Sequence, residues 1–163
     1  MDLKTLIEDV VDFPKEGIIY KDIQPLLENP QAFKTAIVNM KQLTNFVDVD
    51  YWVGIESRGF IFASALANHS YGGFKMIRKE GKLPDRNHVL HGREYDLEYG
   101  SARIEMKPGS GNVILVDDVY ATGGTMTAAE ELCKSAGYTV VDKVCLVDIG
   151  INKNHDVKCL ISY

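Results

Sequence analysis

The chain has 163 residues, 45% hydrophobic and 25% charged, which suits one globular domain with a sizeable core and no need of covalent staples. With 18 Lys and Arg against 23 Asp and Glu, a net charge of -5, it lacks the basic balance of a general nucleic-acid binder. Three cysteines, Cys133, Cys145 and Cys159, without CxxC spacing, imply reduced and mostly buried thiols in a cytoplasmic protein, and neither a signal peptide nor a membrane span is expected.

In chain order, Leu3, Leu6, Ile7, Val10 and Val11 recur at helical spacing and predict an amphipathic first helix. Phe13 to Leu27 is punctuated by Pro14, Gly17 and Pro25 and is expected to be an ordered loop. Asn29 and Pro30 form an N-cap and first-turn pair for a second helix, whose buried stripe is Phe33, Ala36, Ile37, Met40 and Leu43. Tyr51 to Ile55 predicts a short buried strand, followed by a polar turn at Glu56 to Gly59 and a helix from about Phe60 to Asn68. Gly73 to Ile77 is the next strand, and Lys79 to Arg93 has the polar, glycine-containing composition of a mobile loop over a site. Tyr95 to Tyr99 and Ser101 to Met106 predict two short strands around Gly100. Val113 to Val116 is an uninterrupted apolar run, as expected of a central parallel strand. Thr125 to Ala136 predicts a helix ended by Gly137, Val140 to Val147 another strand, and Val157 to Ile161 an edge strand. Alternating strands and helices imply an α/β fold with a central, mainly parallel sheet and right-handed crossovers.

The chemistry concentrates after Val116. Asp117 and Asp118 repel one another unless a cation or hydroxyl donors lie against them, so the pair suits a sugar diol, Mg²⁺, or both. Ala121, Thr122, Gly123, Gly124 and Thr125 place small residues and two hydroxyls before a helix N-terminus, where free N–H groups favour an anion. Gly54 to Ile61 (GIESRGFI) has the glycine spacing of a P-loop but Phe60 and Ile61 in place of Lys and Ser or Thr, which removes the key cation of a nucleotide-triphosphate site. An acid pair beside a phosphate cradle describes a ribose 5-phosphate. His88 and His91 are read as exposed loop histidines, since no third zinc ligand stands at the usual spacing. Trp52 is expected to pack in or beside the core.

VILVDDVYATGGT resembles the phosphoribosyl diphosphate (PRPP) signature of the type I phosphoribosyltransferases along its whole length. FPKEGIIYKDIQPLL, GIESRGFIF, IRKEGKLP and YDLEYG are similar, in the same order, to segments of the adenine-specific members of that family. The resemblance implies the type I phosphoribosyltransferase fold over residues 1–163, with a small hood and N-terminal helix in about 1–30, a core in about 31–163 and a flexible closing loop. It assigns the ribose hydroxyls to Asp117 and Asp118 and the 5-phosphate to Ala121, Thr122, Gly123, Gly124 and Thr125. Diphosphate falls to Arg58, Arg78, Lys79 and Lys82, proton transfer to Glu98, and the base to Ile19, Tyr20 and Lys21. It further implies Mg²⁺ held mainly by PRPP near Asp117 and Asp118, a homodimer, and neither nucleic acid nor membrane as partner. The resemblance makes adenine the expected base; the family commonly carries Phe then Arg where this chain has Tyr20 then Lys21, a departure that bears on base choice and leaves hypoxanthine or guanine, or a PRPP-binding regulator, as alternatives.

Overall fold

The computed structural model describes residues 1–44, 48–84, 91–97 and 100–163, with the backbone alone at 91–97, 100 and 101. Nine strands and four α-helices are found among them: β1 Glu8–Val11, β2 Ile19–Asp22, α1 Gln24–Glu28, α2 Pro30–Leu43, β3 Tyr51–Ile55, α3 Gly59–Ser70, β4 Gly73–Lys79, β5 His91–Leu97, β6 Gly100–Met106, β7 Gly111–Tyr120, α4 Gly124–Ser135, β8 Tyr138–Asp148 and β9 Lys158–Ser162.

Seven strands form one sheet in the order β5-β6-β4-β3-β7-β8-β9. β4, β3, β7, β8 and β9 run parallel, and β5 and β6 are added antiparallel at one edge. Apolar residues on both faces of the central strands dictate this burial. Trp52, Ile114, Val116 and Leu146 face α2 and α3, whereas Val53, Ile55, Val113, Leu115 and Cys145 face α4. Trp52, Phe62, Leu66, Ile114 and Leu115 are fully or almost fully buried, and each such side chain contributes about 1.5–3 kcal/mol by leaving water. The Asn29 side chain accepts from the N–H groups of Gln31 and Ala32, capping α2 as its sequence predicts.

Three expectations are corrected. Leu3–Leu6 makes a single 3-10 turn rather than the start of an amphipathic helix, and Glu8–Val11 is a strand. Leu3 and Ile7 are buried, but Val10 and Val11 point outward from an antiparallel pairing with β2 that runs from Glu8 opposite Asp22 to Val11 opposite Ile19. The β-branched pair finds a strand partner across the turn at Asp12 to Ile18, and that pairing outweighs local helical periodicity. The supposed loop from Phe13 to Leu27 therefore contains β2 and α1, with Pro25 tolerated in the first helical turn, where its missing N–H has no intrahelical partner to lose. The supposed mobile loop, Lys79 to Arg93, begins and ends in strands, and His91 opens β5; His88 lies outside the described residues.

The strand carrying the acid pair is also longer than the apolar run predicts. β7 continues through Asp117 and Asp118 to Tyr120, still paired with β8 at Val119 opposite Val147 and Tyr120 opposite Asp148. Both carboxylates thus rise from a fixed backbone, not from a turn.

Candidate active site

The direction of crossover changes between β3 and β7, because β3 leads through α3 to β4 on one side while β7 lies on the other. Carboxyl ends of strands at such a switch leave a crevice for ligands. β3 delivers Glu56, Ser57 and Arg58 to it, and β7 delivers Asp117 and Asp118. Gly59 opens α3 directly over β7: a Cβ there would stand 2.7 Å from the Val116 carbonyl oxygen and 3.0 Å from Asp117 Oδ1. Only glycine lets the two strand ends approach so closely.

Arg58 joins three predicted subsites. Its Nε lies 2.8 Å from Asp118 Oδ2, an ion pair whose acid is 6% exposed. One terminal nitrogen donates to the Tyr20 hydroxyl, and the guanidinium carbon sits 4.8 Å from the centre of the Tyr20 ring. Tyr20 also meets Phe13 edge to face at 5.2 Å. A residue expected to touch diphosphate thus bridges Asp118, expected to hold the ribose diol, and Tyr20, expected to meet the base.

Asp117 and Asp118 extend from successive strand positions and so project to opposite faces. Burial, then the neighbouring Asp118 charge, pushes the Asp117 carboxyl well above the usual carboxylate range. Asp118 is also raised by burial, against the opposing pull of Arg58. Both acids gain from hydroxyl donors or a cation delivered by a ligand.

Beside them, Gly123 takes a left-handed φ of +93° and forms the N-cap of α4, with no side chain capping the helix. A Cβ at Gly123 would come within 2.5 Å of the Tyr120 hydroxyl oxygen, so both conformation and space require glycine. The first backbone groups of α4 have no intrahelical partner and face a small cavity lined by Asp117, Tyr120, Thr122, Gly123, Thr125 and Met126. Ala121 and Gly124 complete the turn.

Glu56 escapes notice in the sequence, yet it organises the predicted diphosphate cations. Its carboxylate accepts from Arg78 Nε at 3.2 Å, Lys82 Nζ at 2.9 Å and the Lys79 N–H at 2.7 Å. Burial opposes its charge, but these donors outweigh burial and hold its pKa at about 2. Its position directly after a buried strand, among basic residues far away in sequence, was the available signal. The Lys79 side chain itself is exposed. Among the base residues, Ile19 is 54% exposed, while Lys21 turns to Asp9 at 2.6 Å and lies 3.6 Å over the Tyr163 ring. Lys21 therefore does not converge with Tyr20. Glu98 lies outside the described residues.

Comparison with known proteins bears on the fold and the family. The model of the phosphoribosyl transferase domain matches residues 24–163. An adenine phosphoribosyltransferase of Bdellovibrio bacteriovorus is 51% identical over 149 residues, covering 91% of this chain and 88% of its own, and one of Kosmotoga olearia is 42% identical over the full length of both. The structure of the Giardia lamblia enzyme complexed with 9-deazaadenine superposes with a TM-score of 0.92 at 33% identity, covering 99% of this chain and 96% of the other. That of the Thermoanaerobacter pseudethanolicus adenine phosphoribosyltransferase gives 0.91 at 33%, covering 99% and 98%. A family model over most of the chain and relatives of this identity and coverage place the chain in the phosphoribosyl transferase domain family, among its adenine phosphoribosyltransferases.

Proposed function

We propose that the protein transfers the 5-phosphoribosyl group of PRPP to adenine, giving AMP and diphosphate in purine salvage. The observation that carries this reading is the meeting of Arg58, Asp118 and Tyr20 beside an uncapped α4, which brings a diphosphate cation, a diol acid and a base platform within one crevice. The α4 N–H groups and Thr122 and Thr125 hold the 5-phosphate, and Asp117 and Asp118 accept the ribose hydroxyls. Arg58, Arg78, Lys79 and Lys82 receive the diphosphate as charge develops on it, and fixed cations in a water-poor site stabilise that charge most in the transition state. Glu98 takes or orients the purine proton.

The β1–β2 hairpin forms the hood, with the Tyr20 ring stacking on the purine and backbone groups at Ile19 reading its edge. Because the Tyr20 hydroxyl already receives Arg58, the ring is left as its contribution to the base, as Phe would provide. The Mg²⁺ of this reading is carried mainly by PRPP, beside the buried carboxylates of Asp117 and Asp118, whose charge a cation would offset. An Mg²⁺ held there by PRPP, with Asp117 and Asp118 beside it, would supply positive charge to offset that of the diphosphate leaving group.

No described helix is long and apolar enough to cross a membrane, and the three free thiols suit a cytoplasmic enzyme. Phe74 and Met76, 37% and 40% exposed at alternate positions of β4, offer an apolar surface that suits a homodimer contact. Sedimentation of the protein, and of Phe74→Glu, tests this: a dimer that dissociates in the variant is expected, and a wild-type monomer refutes it. The activity is tested with a panel of free purines, PRPP and Mg²⁺ followed by absorbance. Turnover of adenine is expected; preferential turnover of hypoxanthine or guanine, or PRPP binding without turnover of any base, overturns the reading.

A further inference from the structure

The connection between β8 and β9 lies behind the phosphate loop, and nothing in the signature draws attention to it. Asn152 donates from Nδ2 to the Tyr120 hydroxyl at 3.1 Å and to the Thr122 carbonyl at 3.3 Å. Its Oδ1 accepts from the Asn154 N–H at 3.2 Å, which turns the amide so that its donors face the loop. Tyr120 lies directly beneath Gly123, as the 2.5 Å approach of its hydroxyl oxygen to a hypothetical Cβ shows. The other side of the Tyr120 ring meets the His155 ring at 4.2 Å, and His155 Nε2 stands 3.4 Å from Asp148 Oδ2. The connection is itself anchored at its start, where Asp148 Oδ1 accepts from the Gly150 N–H at 2.8 Å.

We propose that Asn152 is a positioning residue for the 5-phosphate, acting through Tyr120 and the Thr122 carbonyl; this rests on the ribose 5-phosphate reading of the loop. A loop of Ala, Thr and two glycines has little side-chain packing to fix its shape, and glycine loses the most conformational freedom on ordering. An amide that grips one loop carbonyl and the hydroxyl beneath its left-handed residue supplies that restraint before the ligand arrives. Pre-ordering the N–H groups of α4 saves the anion the cost of ordering them, so the effect falls on affinity for the phosphate end of the substrate. Diphosphate, held on the other side of the crevice by residues of β3 and β4, gains nothing from it.

The test compares Asn152→Ala and Tyr120→Phe with the parent by calorimetric titration of ribose 5-phosphate and, separately, of Mg²⁺-diphosphate, alongside KM and kcat for PRPP and adenine. Loss of the two Asn152 bonds is expected to weaken ribose 5-phosphate about tenfold and raise KM for PRPP similarly, with diphosphate affinity, KM for adenine and kcat unchanged within about twofold. Tyr120→Phe is expected to show a smaller effect of the same kind, and the double variant to lose less than the sum of the singles, because both act through one contact. Equal weakening of both ligands, which a general loss of structure would produce, overturns the proposal, as does unchanged ribose 5-phosphate affinity in Asn152→Ala. If the parent neither binds ribose 5-phosphate nor turns over adenine, both this proposal and the functional reading fall; if the parent turns over adenine while it fails to bind ribose 5-phosphate, or while Asn152→Ala behaves like the parent, only this proposal does.

Discussion

Replacing Glu56 by Gln tests the electrostatic core of the basic cluster formed by Arg78 and Lys82. The carboxyl titrates at about 2 in the fold against an ordinary 4.5, a difference equivalent to about 3 kcal/mol of stability by linkage. Its partners are unevenly sheltered: the Arg78 side chain is 28% exposed and that of Lys82 51%, so solvent screens part of the attraction. The amide of Gln keeps one acceptor for the Lys79 N–H and Arg78 Nε, which share one carboxylate oxygen, but turns a donor toward Lys82 and removes the negative charge between the two cations. At pH 7 we therefore expect Glu56→Gln to lower the unfolding free energy by about 1–2 kcal/mol, measured by urea titration. Since the folded pKa is depressed, the contribution is fully present above pH 4.5 and is lost as pH falls through about 2. The difference between variant and parent should accordingly shrink across that window. Equal stability of the two proteins at pH 7, or a difference that persists unchanged to pH 2.5, would refute the assignment of Glu56 as the anchor of Arg78 and Lys82.

Gly123→Ala combines a left-handed backbone with the 2.5 Å approach to Tyr120; a cost of about 1–3 kcal/mol in thermal or urea unfolding and a raised KM for PRPP are expected. Arg58→Ala leaves Asp118 buried without its cation, costing about 3 kcal/mol at pH 7. Because burial already raises Asp118, protonation relieves the lost pairing, so the defect should diminish as pH falls through the acid's raised pKa; a defect independent of pH between 7 and 4 contradicts this. Glu98→Gln is expected to reduce kcat about 10²- to 10⁴-fold, and a kcat within about threefold of the parent would remove Glu98 from the proton-transfer role.

The parallel core and the small-residue turn that opens α4 were legible in residues adjacent along the chain. Val113 to Val116 is apolar on both faces, which only a central strand tolerates, and the Gly123–Gly124 step before an amphipathic helix dictates an uncapped N-terminus wherever it folds. Asn29 and Pro30 likewise fix the start of α2 through bonds made within three residues. What sequence could not decide depends on partners distant along the chain. The same apolar spacing over Leu3 to Val11 suits a helix, and only the arrival of Ile19 to Asp22 opposite it makes Glu8–Val11 a strand. Glu56 is one acid in a polar turn until β4 brings Arg78 and Lys82 beside it, and the pairing of Lys21 with Asp9 and the Tyr163 ring joins residues far apart in the chain. Asn152 is a loop residue until folding sets it against Tyr120 and Thr122. Local conformational preferences act over a few residues and are written in order along the chain, whereas ion pairs and packing act through space, so only the tertiary structure could assign them.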